Sequence, residues 1–265
     1  MNQKNMMKSL IRWSATLGLV GTTVLYSGLA KNLKAWALPA EQVLQKLDPV
    51  PVFTIADEQG APLVASGEDE AKVAGVFISQ QDANQFVSQL QSKNAELASK
   101  VKVVPVSLGE VYKLAGSNES QENALNFAYV PQEAAVNSAK TILAETGQEY
   151  QGGVPLFVAK GGDDKGYLTI EKDSQQVIPF FFEKQQLENM VEKFKQQKPD
   201  VAANVNIEVV PLEGIIETLE TSDDEMLNKI VLVPSTESLE FLQNNNPAPA
   251  GTPSEAGETP AKPAE

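Results

Sequence analysis

The chain contains no cysteine and no histidine, and its single arginine, Arg12, lies near the amino terminus. Each absence removes a class of chemistry. Without Cys or His there is no Ser-His-Asp or Cys-His nucleophile system, and no ordinary zinc, copper or iron–sulfur site. Without Cys there is also no disulfide staple and no lipid-modified cysteine, so an apolar core alone must hold the fold. A chain of 265 residues is long enough to bury such a core. Carboxylate pairs could still act as acid and base, as in glycosidases. A sugar cleft wants aromatic walls, however, and both tryptophans, Trp13 and Trp36, fall before Leu38.

The first 37 residues differ in kind from the rest. Lys4, Lys8 and Arg12 precede an apolar run from Ala15 to Ala30, no acid occurs before Glu41, and Ala35-Trp36-Ala37 offers a small-x-small cleavage site. This pattern predicts a secretory signal peptide over residues 1–37, with an uncleaved membrane anchor as the rival. Taking its five basic residues from the total of 21 leaves 16 lysines against 35 acids, a charge of −19, and no arginine. Nucleic-acid binding needs a basic stripe, so that partner class is excluded, as is tight docking to an anionic lipid surface. Acidity of this size keeps a secreted protein soluble.

What is present is a sequence written twice. Val50-Pro51-Val52-Phe53 returns as Val154-Pro155-Leu156-Phe157, and Val73–Ile78 returns as Val177–Phe182, both displaced by 104 positions. Val104-Pro105-Val106 answers Val210-Pro211-Leu212 at 106, and Tyr129-Val130-Pro131 answers Leu232-Val233-Pro234 at 103. Two copies are too few for an open solenoid and predict one pseudo-twofold, two-lobed body. A short amphipathic helix is expected over 38–47. In the first copy, strands are expected at 50–56, 62–65 (a hairpin through Asp57–Gly60) and 72–78, then a helix from Ser79 through Leu97. A strand at 102–107, a helix at 108–114, a strand at 125–130 and a helix at 132–146 complete it. The second copy gives strands at 154–160, 167–171 and 176–182, a helix at 184–197, a strand at 206–210, a helix at 212–220, a strand at 229–233 and a helix at 235–243. Each half reads βββαβαβα, an α+β fold of mixed α/β type. The expected divisions are 1–37 (signal), 38–150 and 151–244 (the two halves) and 245–265, a Pro/Ala/Glu tail expected to be disordered.

Three segments invite a chemical reading. The loop Lys160–Gly166 lacks the glycine spacing and the following helix of a phosphate cradle, and reads as a hairpin turn. Ser222-Asp223-Asp224-Glu225 has carboxylates suited to calcium, but no calcium-loop spacing, and reads as helix capping. Pro179-Phe180-Phe181-Phe182 is the oddity. Side chains alternate along a strand, so three consecutive Phe cannot enter one core. They belong either to a strand covered on both faces or to one lining an open apolar groove. The candidate groove residues are Val76, Phe77 and Ile78 in the first half and Phe180, Phe181 and Phe182 in the second. No catalytic residue, metal ligand or cofactor is expected.

Several segments together carry a family resemblance. They are Val50–Ile55, Pro105–Tyr112, Gly153–Val158, Gly166–Thr169, Pro179–Lys184 and Val209–Glu213, in this order across roughly residues 40 to 243. The chain resembles the 22-kilodalton Tic family, the chloroplast envelope import component and its cyanobacterial homologues. The resemblance implies a pseudo-symmetric α/β fold with apolar pockets, and a cofactor-free factor that handles precursors between two membranes. With a bacterial-type signal peptide it implies a cyanobacterial member in the periplasm, and in the thylakoid lumen as a further site. The function expected is an ATP-independent chaperone that binds unfolded, translocating or outer-membrane chains. The rivals are a structural adaptor docking translocon or outer-membrane assembly subunits, and, more weakly, a carboxylate-based small-molecule binder or hydrolase.

Overall fold

The computed structural model describes residues 38–66, 72–118, 125–161, 166–197, 205–222 and 224–245. The predicted signal peptide and the predicted tail beyond Asn245 lie outside them. Helix α1 (Ala40–Leu47) leads into strands β1 (Pro51–Asp57), β2 (Val64–Ser66) and β3 (Lys72–Phe77), then helices α2 (Gln80–Lys93) and α3 (Ala95–Ala98). Strand β4 (Val101–Ser107), helix α4 (Leu108–Asn118), strand β5 (Leu125–Val130) and helix α5 (Glu133–Glu145) follow. The second half runs β6 (Pro155–Gly161), β7 (Gly166–Tyr167), β8 (Ile170–Lys172), β9 (Gln175–Phe181), α6 (Lys184–Gln197), β10 (Asn206–Pro211) and α7 (Leu212–Thr221). A 3-10 turn (Glu225–Lys229), strand β11 (Ile230–Val233) and helix α8 (Thr236–Asn245) close the described chain. The fold is mixed α/β, with two sheets.

The strands form sheets of the same order. In the first, β4-β1-β3-β5 places antiparallel neighbours about β1 and a parallel strand, β5, beside β3. In the second, β10-β6-β9-β11 does the same about β6, with β11 parallel to β9. The registers agree as well. Phe53 faces Phe77 and Phe157 faces Phe181; Pro51 faces Ser107 and Pro155 faces Pro211. The Leu108 amide donates to Val50 O, and the Leu212 amide to Val154 O, each at 2.8 Å. These partners are all displaced by 104 positions. The displacement of 106 expected for Val104-Pro105-Val106 is therefore corrected: the ladder equates Ser107 with Pro211, and the shared proline was coincidental.

Alternation along the strands sorts the core into three clusters. Val52, Val76, Leu156, Val158, Ile178 and Phe180 point to one cluster shared by both sheets, where α1, α4 and α7 add Val43, Leu47, Leu108, Val111, Ile215 and Leu219. Phe53, Ile55 and Phe77 point to the other face of the first sheet, and Phe157, Ala159 and Phe181 to the other face of the second. The helices that cover these outer faces are exchanged. Helix α5, which ends the first half, places Ala135 and Ala139 on the second sheet. Helix α8, which ends the second half, places Phe241 against Phe53 on the first. The division at residue 150 thus separates each sheet from one of its covering helices.

Local departures from the expected elements have local causes. The helix expected through Leu97 breaks at Asn94, whose side chain accepts from the Leu97 amide at 3.0 Å and starts α3. The single strand expected at 167–171 is two: β7 pairs with β6, and β8 pairs with β9 across a turn in which Asp173 and Ser174 have positive φ. Strand β2 pairs with β3, and the segment before it meets β1 at the Ala56–Pro62 bridge, where the Leu63 amide donates to Ile55 O at 2.7 Å.

Candidate functional site

All six residues expected to line an apolar groove are buried. Val76, Ile78, Phe180 and Phe182 belong to the shared core, Phe77 to the outer core of the first sheet, and Phe181 to that of the second. Phe180 and Phe182 are each 1% exposed. The open-groove expectation is corrected for this conformation: the Phe run lies on a strand covered on both faces. The reason is the exchange of helices, since α5 supplies part of the cover of Phe181 from the other half of the chain.

The structure places exposed apolar side chains elsewhere: Val64, Phe86, Leu114 and Met226. Phe86 is 43% exposed, and its ring lies 5.6 Å from the Phe77 ring, so it forms the outer layer over a residue the sequence did single out. Helix α2 fixes it there. Ser79 accepts from the Asp82 amide at 3.1 Å to start the helix, Ala83 faces the sheet, and Val87 and Leu63 pack at the border of the same cluster. Leu114 on α4 is 52% exposed. Helical spacing grouped Phe86 with Ala83, Val87 and Leu90 as one apolar face. It could not show that Phe86 sits on the rim of that face.

The polar groups are occupied in joining elements. Glu213 at the start of α7 accepts from the Val154 amide at 3.0 and 3.2 Å, and Tyr150 donates to Gly153 O beside it. The Tyr150 hydroxyl is pushed up by burial and then by the Glu213 charge. Burial, followed by the charges of Glu213 and Glu220, pushes Tyr129 up to about 12. Lys46 of α1 donates to Asn228 O at 2.9 Å and Ile230 O at 3.1 Å, and burial lowers its ammonium pKa. Glu237 of α8 accepts from the Gln81 amide at 2.7 Å and so caps α2 from the other half. The Asp82 carboxyl is raised by burial, against a bond from the Glu133 amide, with further raising by Glu237 and Glu133. Near the second sheet's edge, Lys160 pairs with Glu208 and lies 4.6 Å above the Tyr167 ring, whose buried hydroxyl has no hydrogen-bond partner among the described residues.

Among the described residues no cluster of acids is arranged to hold a metal ion. Asp224 caps the 3-10 turn by accepting from the Met226 amide at 2.8 Å, while Asp223 lies outside the described residues. The Lys160–Gly166 loop is flanked by the antiparallel pairs Lys160–Tyr167 and Gly161–Gly166, with 162–165 outside the described residues.

Fold and surface thus define a mixed α/β protein whose charged side chains cap and join elements, and whose exposed Phe and Leu side chains are its apolar surface features. The chain belongs to the Tic22-like family, whose model matches residues 5–244. It is 25% identical over 213 residues to Protein TIC 22, chloroplastic, of Pisum sativum, covering 80% of this chain and 79% of that one. The Arabidopsis thaliana protein of the same name is 24% identical over 173 residues, 65% of this chain and 59% of its own. Among solved structures, Anabaena Tic22, a protein of protein transport, superposes with a TM-score of 0.70 at 29% identity, over 80% of this chain and 99% of that one. Tic22 from Plasmodium falciparum shares the fold, with a TM-score of 0.63 at 22% identity, over 77% and 96%. The family is one of protein transport. Among the described residues no helix is long and apolar enough to cross a membrane.

Proposed function

We propose that this protein is an ATP-independent chaperone of protein transport that holds unfolded or precursor chains in the periplasm. The observation that carries the reading is Phe86, a large ring 43% exposed over the Phe77 floor in a family of protein transport. Phe77 forms the floor beneath this surface, while Val76 and Ile78 lie on the opposite face of the sheet and act through the stability of the shared core. Phe180, Phe181 and Phe182 support the second sheet and act through its stability. Burial of a client's apolar side chains would supply about 25 cal/mol for each Å² removed from water. The acidic surface keeps the loaded complex in solution. The periplasmic assignment rests on the predicted signal peptide, and fractionation of cells expressing the full chain tests it.

The functional test is light scattering by an unfolded, aggregating substrate with equimolar protein present. Slower aggregation is expected, and Phe86→Ser should weaken the effect while the protein stays folded. A wild-type protein that leaves aggregation unchanged, yet binds folded translocon subunits, would establish the adaptor reading in its place.

A further inference from the structure

Among the described residues one edge of the first sheet has no partner, while its counterpart in the second sheet is partly covered. The Ile78 amide donates to Val130 O at 3.1 Å, so Val130, Ala128 and Asn126 turn their backbone groups toward β3. Leu125, Phe127 and Tyr129 therefore turn theirs outward, and these have no hydrogen-bond partner among the described residues. In the second sheet the Phe182 amide donates to Val233 O, so Ile230 and Leu232 are the outward residues of the shorter strand β11. There Lys46 of α1 covers Ile230 O and Asn228 O. Among the described residues no lysine does the same at β5.

The remaining edges carry the features that discourage pairing with another chain. Strand β4 holds Lys102 and Pro105, and β10 holds Pro211 and Glu208, the latter paired with Lys160. Strand β5, Leu-Asn-Phe-Ala-Tyr-Val, has six residues with neither proline nor charge. Its two faces also differ. Phe127 and Tyr129 are half-buried against the shared core, while Asn126 and Ala128 are exposed.

We propose that the outward edge of β5 binds an extended client segment as an added strand, selecting alternating apolar and polar residues with a basic residue near Tyr129. The proposal rests on the chaperone reading and names the client chemistry for it. Main-chain hydrogen bonds to Leu125, Phe127 and Tyr129 give binding without regard to sequence, and the two unlike faces select the alternation. Phe127 and Tyr129 extend the apolar face on which the client's apolar side chains settle. Glu213 and Glu220, close enough to act on the Tyr129 hydroxyl, supply the preference for Lys or Arg. The same acidity, a chain charge of −14, disfavours a second copy of this protein as the occupant. Val130, paired with Phe77, lies on the opposite face of the sheet from Phe127 and Tyr129, so the Phe86 surface and this edge are separate features of the first sheet.

The test uses a short synthetic peptide of alternating leucine and threonine with lysine at both ends, and a control of the same composition with leucines and threonines in separate blocks. Amide exchange at Leu125, Phe127 and Tyr129 should slow about tenfold on adding the alternating peptide, and change little with the control. Because the chain has no cysteine, Ala128→Cys should form a disulfide with a single-cysteine version of the peptide, while Lys102→Cys on the opposite edge should not. Protection elsewhere with none on β5, equal trapping at both positions, failure to bind the peptide, or peptide-independent Ala128→Cys dimers would each overturn the proposal. Aggregation suppression measured on the same protein separates the two readings. If suppression persists without protection of β5, the chaperone reading stands and the edge-strand proposal fails; if suppression is absent, the chaperone reading fails by itself.

Discussion

The Phe241 ring of the last helix meets the Phe53 ring of the first sheet edge-on, with centroids 5.3 Å apart and planes at 86°. This contact closes the outer core of one half with a side chain from the other. Together with Ala135 and Ala139 of α5 on the second sheet, it makes each half dependent on its partner. Phe241→Ala should therefore cost about 2–3 kcal/mol, somewhat below a fully buried Phe because this ring is half-exposed. Urea unfolding followed by circular dichroism should keep one transition, shifted to lower denaturant. Two separated transitions would show that the halves fold independently and that the exchange is energetically minor.

A second prediction concerns Gly109 in the first turn of α4. A Cβ at this position would lie 2.0 Å from Asp48 Oδ1 and 3.1 Å from the Asp48 amide nitrogen. In an open helix Gly→Ala stabilises by about 1 kcal/mol, so the sign of the measured change reports the clash. Gly109→Ala should destabilise the wild-type protein by about 1–3 kcal/mol. In an Asp48→Ala background the penalty should shrink by at least about 1 kcal/mol, a coupling that a double-mutant cycle measures directly. Additive effects would mean that the acid swings away at no cost. The second half solves the same crowding with the acid and the glycine exchanged: Glu213 lies over Gly153, whose φ is +84°.

The two remedies show what a sequence conveys and what it withholds. Strand alternation was legible at Val52–Phe53, Val76–Phe77 and Phe180–Phe182, because a period of two fixes which side chains share a face. The strand order of the sheets did not follow from that pattern, because a period of two does not say which strands are neighbours. Which helix covers which face did not follow either. Ala135, Ala139 and Phe241 announce an apolar helix side, yet nothing in their spacing says that the sheet they meet lies in the other half. The Phe run accordingly left both an open and a covered strand in play, the covered one favoured, until α5 was placed. The break at Asn94 was hidden because Leu97 continues the helical spacing, while the cap that ends one helix and begins the next is a side-chain bond. The edge of β5 was likewise invisible, since it depends on Lys46 reaching β11 and on no described residue doing so at β5.

A third prediction follows from Tyr129, pushed up to about 12 by burial and then by Glu213 and Glu220. An unfolded tyrosine titrates near pH 10. Between the two values the unfolded chain gives up this proton first, so it binds fewer protons than the folded one, and stability falls as pH rises. The stabilisation is complete below about pH 10 and is lost through about pH 12, amounting to roughly 1–2 kcal/mol after allowance for partial exposure. Tyr129→Phe should flatten this part of the stability profile, measured as urea midpoints at pH 9 and pH 11.5. Some alkaline loss should persist in the variant, because Tyr150 and Tyr167 are shifted in the same direction. An unchanged profile in the variant would show that Tyr129 ionises as freely in the folded protein as in the unfolded one.

A final pair of substitutions separates surface from support. Phe180 and Phe86 are the same residue type in opposite settings, 1% and 43% exposed. Phe180→Ser deletes a ring from the shared core and leaves a hydroxyl there, which should cost at least about 3–5 kcal/mol and unfold a protein of ordinary stability. Phe86→Ser removes a ring that water already reaches over much of its surface. It should cost about 1 kcal/mol or less and leave the circular dichroism spectrum unchanged. Loss of client protection in the folded Phe86→Ser variant would then be a surface effect, because its core is intact. Loss only in Phe180→Ser, and only in proportion to the unfolded fraction, would move the client surface away from α2. The comparison is decisive because Phe180 lies wholly within the shared core, whereas Phe86 stands over Phe77 at the surface of the first sheet, where a client can touch it.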